Sequence, residues 1–201
     1  MSITIRRALP AFLVVVIAGA LVAGCGSSEK TSSSTTSATG SAGNVIDRAF
    51  VNDMTPHHQS AIAMATIALT RAGHKQIKQL ATSIISDQKS EIALMDGFKK
   101  SLKAGDAKST LGESMKAMGM DMNTASLKTA MPFDEAFIQM MSPHHAGAIT
   151  MAKTELAKGS DPQVKALARR IITAQTTEIA EMKSWLTKWY RGAAGSHNGM
   201  G

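Results

Sequence analysis

The 201-residue chain contains one cysteine, Cys25, so disulfide staples, thiolate metal centres and Cys/His nucleophile pairs have almost nothing to be built from. Aromatic residues make up only 4% of it, too few for a platform on which bases could stack. The sequence also lacks a Ser/His/Asp arrangement, a phosphate loop and a dinucleotide fingerprint, which leaves hydrolase and nucleotide-binding functions unsupported. No stretch alternates apolar and polar residues over a useful length, so strands are not expected. Long hydrophobic runs are scarce as well, and the prominent one lies at the start.

That run, from Ala8 to Val22, follows Arg6 and Arg7 and ends in Ala23 and Gly24 before Cys25. At about 15 residues it is short for a membrane-spanning helix and has the layout of a secretory signal. Leu-Val-Ala-Gly-Cys at residues 21–25 resembles a bacterial lipobox. The expectation is that residues 1–25 direct export, that Cys25 is lipidated, and that the protein is anchored on the outer face of the cytoplasmic membrane. Residues 26–43, rich in Ser, Thr, Ala and Gly, cannot bury enough apolar surface to order themselves and are expected to form a flexible tether. Removing the two signal arginines leaves 20 basic against 15 acidic side chains. This excess is spread along the chain without a basic block, and nucleic acid is not an expected partner.

What remains, residues 44–191, suits one domain, and it repeats itself at an offset of 87 residues. Met54, Pro56, His57 and His58 recur as Met141, Pro143, His144 and His145, while Met64-Ala65 recurs as Met151-Ala152. Gln88, Glu91, Ile92 and Met95 recur as Gln175, Glu178, Ile179 and Met182. Each half, residues 44–102 and 131–191, is expected to be a helical hairpin. The first helices run from near Asn44 to Gly73 and from near Pro132 to Gly159; the second run from about His74 to Lys100 and from Asp161-Pro162 to about Tyr190. Pro56 and Pro143 fall inside the first helices and predict a kink or restart before the histidines. The fold class is therefore all-α, an up-down four-helix bundle of two hairpins. Residues 103–130 would be a methionine-rich connector crossing between hairpins, and residues 192–201, with His197 and Met200, a disordered tail.

The core-facing stripes carry unexpected polar residues. Gln88 and Glu91 lie on the stripe of the second helix, as Gln175 and Glu178 do in the copy. A carboxylate facing a core is costly unless paired or bound to a cation. His57 points inward on the first helix, with His58 on the adjoining flank. In a hairpin turning near Gly73, His57 lies opposite about residue 90, within a turn of Glu91 and Gln88. A buried His57–Glu91 hydrogen bond that sets register, with methionine filling space, would account for this without metal. The flanking thioethers and the repetition favour a metal instead.

Met54, His57, His58 and Met64, with Met141, His144, His145 and Met151, are the candidate ligands, and Gln88, Glu91, Gln175 and Glu178 would orient the imidazoles. Thioether sulfur suits Cu(I), and imidazole also serves copper and other transition metals such as zinc. Met115, Met118, Met120 and Met122 are candidates for a second, looser Cu(I) or Ag(I) site. The string Met-x-Pro-His-His-x-x-Ala-Ile-x-Met-Ala, followed by Glu-Ile-x-x-Met, resembles the domain of unknown function 305 (DUF305) family over about residues 45–190. That resemblance implies a ferritin-like helical bundle, often exported, with links to copper handling outside the cytoplasm.

Three functions fit. The favoured one is an extracytoplasmic lipoprotein that sequesters Cu(I) or passes it on without catalysis, with a metal-exchange protein or a homo-oligomer as the expected protein partner. A ferritin-like dinuclear metal oxidase would require Glu-x-x-His pairs that the second helices lack. A tethered helical interaction domain without metal is the third.

Overall fold

The computed structural model describes residues 43–105, 111, 112, 114, 116–120 and 122–191. The expected signal and tether, Cys25, Met115 and the tail with His197 and Met200 lie outside the described residues. Four long helices carry the fold: α1 (Val45–Arg71), α2 (Lys75–Ser101), α3 (Phe133–Lys158) and α4 (Pro162–Leu186). A 3-10 helix, Thr124–Lys128, precedes α3, and a π-helical turn, Thr187–Arg191, extends α4. Among the described residues there is no strand, and no helix is long and apolar enough to cross a membrane.

Local chemistry explains the helix starts. Asn44 caps α1 by accepting from the amides of Ile46 and Asp47, while Asp47 reaches back to the Asn44 amide. Asp161 caps α4, and Pro162 occupies its first turn, where a missing N–H costs nothing. Pro56 and Pro143 do not restart the helices: α1 and α3 are each continuous through their proline. Ten residues or more on either side, packed on two neighbours, hold the axis across the single backbone bond that proline removes.

The hairpins α1–α2 and α3–α4 meet mainly through α1 and α3, with α2 and α4 outside. End contacts show that α1 and α3 run antiparallel. The Asn44 side chain donates to the Lys158 carbonyl at 2.8 Å, whereas Arg71, at the other end of α1, donates to the carbonyls of Leu127 and Ala130. Two aspartates lock this arrangement reciprocally. Asp47 accepts from the amides of Ser160 and Asp161 in the second hairpin's turn, and Asp134 accepts from the amides of Gly73 and His74 in the first. Each hairpin thus supplies the carboxylate that closes its neighbour's turn.

The chain leaves α2 at the end of the bundle where α1 starts and enters α3 at the opposite end, so the connector crosses the bundle lengthwise. It passes over α3 at Gly147, where a Cβ would lie 2.2 Å from the Met118 carbonyl oxygen. Gly119, at φ +67°, sits against the His144 backbone there. Glycine at both places permits a contact that a larger residue would block.

Candidate metal centre

The core is divided in two. One apolar cluster contains Phe50, Met54, Met95, Met118 and Met151; the other contains Met64, Phe137, Met141 and Met182. Between them, where α1 and α3 cross, lie four buried histidines, each no more than 1% exposed.

The His57 and His144 rings face each other across the α1–α3 contact, with centroids 3.8 Å apart and planes inclined by 38°. His58 and His145 flank them at 6.2 and 6.3 Å from their respective neighbours. The outer pair is held by carboxylates. His58 Nε2 lies 2.7 Å from Glu91 Oε2, and His145 Nε2 lies 2.7 Å from Glu178 Oε2. The order across the molecule is therefore Glu91, His58, His57, His144, His145, Glu178.

This corrects the expected pairing, in which His57 was set beside Glu91 and His144 beside Glu178. Successive helix positions differ by about 100°, and α2 lies along the flank that carries His58 while α3 covers the face that carries His57. Glu91 and Glu178 are also less enclosed than expected, each with 15% of its side chain exposed.

The inner pair has no such support. Neither ring nitrogen of His57 or His144 meets a hydrogen-bond partner, and Gln88 Oε1 and both side-chain polar atoms of Gln175 are likewise buried and unmatched. Burial pushes His57 down to about 3, aided by the neighbouring His58 and His145 rings and opposed by the Met118 and His144 backbone. Burial, followed by His57, His145 and His58, holds His144 still further below the ordinary imidazole range. Both are neutral at physiological pH, with a lone pair each. A buried polar group without a partner costs about 1–3 kcal/mol, so concentrating several in one layer requires an explanation beyond packing.

The candidate thioethers divide by height. Met54 and Met141 each lie three residues, about 4.5 Å of rise, from the inner histidine of their own helix. Met64 and Met151 lie seven residues away, about 10.5 Å along the axis, within the apolar clusters. Met118 is buried, and Met120 is partly buried against the same cluster. Met122 is partly buried as well, so the connector does not present these three thioethers as an open chelating loop. Among the described residues no three His, Cys, Asp or Glu side chains converge as a metal cage. The donors that the structure does bring close are the two facing imidazoles, with a thioether one turn away on each helix.

Outside this layer, a groove of about 480 Å³ separates α2 from α4 and is lined by Asp87, Glu178 and Glu181 among others. The Asp87 carboxyl is raised by partial burial, then by Glu178 and Glu91. Glu178 contacts both this groove and His145, so an acidic surface adjoins the outer end of the histidine row.

A buried carboxylate that the sequence reading did not select is Glu155, completely enclosed in α3 against Gly159. Its signal was present: it occupies the core-stripe place that Ala68 holds in the first copy.

Comparison with known proteins gives a consistent result. The family model described as "Domain of unknown function (DUF305)" matches residues 47–186 and 134–200. Among solved structures, CopM in a Cu(I)-bound form is 37% identical, with a TM-score of 0.63 over 72% of this chain and 97% of CopM; CopM has also been solved with Cu(II) and with silver. A putative secreted DUF305 protein from Streptomyces coelicolor is 27% identical, with a TM-score of 0.65 over 71% of this chain and 93% of that one. The uncharacterized protein L153 of Acanthamoeba polyphaga mimivirus is 45% identical over 53 residues, 26% of this chain and 35% of that protein.

Proposed function

The chain belongs to the DUF305 family, and from its histidine layer we propose that it is an extracytoplasmic protein that binds copper as Cu(I) and stores it or hands it on. The observation that carries this reading is the facing pair His57 and His144, buried, neutral and without hydrogen-bond partners. Neutral imidazole and thioether are donors that a soft monovalent ion accepts readily, and neither carries a charge that would have to be neutralised. CopM, solved with Cu(I), Cu(II) and silver, supports the choice of metal.

In this reading His57 and His144 hold the ion, Met54 and Met141 contribute sulfur from one turn away, and Gln88 and Gln175 offer amide oxygens at the same level. The stacked rings do not converge on one point, so ligation turns them about their Cα–Cβ bonds. Glu91 and Glu178 fix His58 and His145 and set the orientation of the row; those two histidines become ligands only by leaving their carboxylates. Met64 and Met151 serve mainly as packing. Export through residues 1–25 and lipidation of Cys25 would tether the bundle to the outer face of the membrane, where a metal-exchange protein can reach it. The lack of a carboxylate-rich cage among the described residues gives a dinuclear oxidase less support than copper binding.

The test is a Cu(I) titration of the purified protein against a chromogenic chelator, repeated with His57→Leu/His144→Leu. The double variant should lose the tight equivalent of Cu(I). Unchanged stoichiometry and affinity would remove the core site, while loss on Met64→Leu alone would move it two turns along the bundle.

A further inference from the structure

The first hairpin's turn carries an imidazole that its cap does not require. In the second hairpin, Asp47 closes the turn through the amides and hydroxyl of Ser160 and Asp161, with no aromatic group involved. Asp134 makes the equivalent amide contacts to Gly73 and His74 and then adds a third, to His74 Nδ1 at 2.6 Å. The residue 87 positions after His74 is Asp161, so the imidazole departs from the repeat at a turn that is already complete without it.

Its surroundings prepare it for a ligand. Donation of Nδ1–H to a buried carboxylate leaves the lone pair on Nε2 facing outward, the arrangement that orients metal-binding histidines. The Trp189 indole fixes the ring plane by stacking on it at 3.7 Å and 2°. The His74 side chain is nevertheless 39% exposed. It lines a pocket of about 250 Å³ together with Met131 and Arg71. Met131 is 81% exposed, the most open large apolar side chain described, and its sulfur accepts a long hydrogen bond from Arg71 Nη2 at 3.6 Å, which a bound ion would replace.

We propose that His74 Nε2 and Met131 Sδ form a second, surface site for a soft monovalent cation, Cu(I) or Ag(I), distinct from the histidine layer. The ends of α1 and the layer are separated by 14 residues, about 21 Å of helix, so the two sites share no ligand. Donor softness selects the ion more than formal charge does: a thioether with an imidazole suits Cu(I) or Ag(I), whereas hard divalent ions prefer oxygen. Exposure of both donors makes this a site of exchange, whereas the layer retains its ion behind packed helices.

The chain's two tryptophans, Trp185 and Trp189, stack on each other at 5.5 Å beside His74, so intrinsic fluorescence reports on this pocket. Ag(I), which needs no reductant, should quench it saturably in the full-length protein, and native mass spectrometry should show His74→Gln binding one Ag(I) fewer. Met131→Leu should weaken the quenching transition about tenfold, or about 1.4 kcal/mol, while His57→Leu/His144→Leu should leave it in place. Loss of quenching in the layer variant with retention in His74→Gln would overturn the surface site and leave the core proposal standing. Tighter binding of Zn(II) than of Ag(I) at this pocket would overturn the monovalent assignment. Should His74→Gln fail to fold by circular dichroism, imidazole nitrogen NMR of the unmodified protein decides: Ag(I) must move the His74 Nε2 resonance, and an unmoved resonance rejects the proposal.

Discussion

Glu155 shows how one substitution in a repeat changes the chemistry of a whole corner of the bundle. Where α1 has Ala68, α3 places a carboxyl against Gly159 and beside Asp47. Burial, then the hydrogen bond and charge of Asp47, push Glu155 up to about 8, with Asp161 adding to the rise and Lys165 opposing it. Burial would also raise Asp47, but the Asp161 amide, the Ser160 hydroxyl, Glu155 and the Asn44 amide together hold it below its ordinary value. Near neutrality Glu155 therefore keeps its proton beside the ionised Asp47. Because the folded-state pKa lies above the usual 4.5, this stabilisation is complete below about pH 4.5 and is lost as pH rises through about 8. The melting temperature should therefore decline between pH 5 and 9, and Glu155→Gln, whose amide is uncharged at every pH, should flatten the decline. A wild-type profile already flat over that range would show that Glu155 does not hold its proton there. The inner histidines make a separate residue-scale prediction. Replacing both by leucine removes unmatched polar atoms from the core, so the apo-protein's thermal midpoint should hold or rise even as metal binding disappears.

At the level of helices, the connector's path over α3 depends on two glycines more than on its methionines. A methyl group at position 147 would overlap the Met118 carbonyl at 2.2 Å, and backbone cannot yield as a side-chain tip can. Gly147→Ala should cost about 1–3 kcal/mol and speed amide hydrogen exchange at residues 116–120; an unchanged exchange rate there would show that the connector docks by other means. Met64→Ala, two turns from the layer, should cost about 2–5 kcal/mol through its cavity alone, with Cu(I) stoichiometry preserved. These elements were unequally legible in the sequence. Helix identity followed from the stripes and ends from Asn44, Pro132, Gly159 and Asp161, because capping chemistry is local. That each hairpin turns a histidine inward followed from the stripes and the repeat. Which of His57 and His58 meets Glu91 did not, since residue spacing gives height along a hairpin but not the side on which the partner helix lies. The connector was the least readable, for its glycines take their meaning from α3, more than twenty residues away.

The molecule as a whole consists of two hairpins, each incomplete without the other. Asp47 closes the turn containing Ser160, Asp134 closes the turn containing Gly73, and the inner histidines come one from each hairpin. A cation bound between His57 and His144, as proposed above, would therefore act as a cross-link between halves and do more than add a ligand to a finished fold. Binding to the native state alone stabilises it by about 2.7 kcal/mol at a free metal concentration of 100 times Kd, and here that energy falls on the α1–α3 contact. Ag(I) or Cu(I) should raise the thermal midpoint and slow exchange at amides of α1 and α3 near the layer, with smaller effects on the outer faces of α2 and α4. Histidine-to-leucine replacement at either position 57 or position 144 alone should abolish most of this protection, because one remaining imidazole cannot span the hairpins. Metal-induced protection that survives each single replacement would place the ion within one hairpin, and the division of ligands between the two copies would then be wrong.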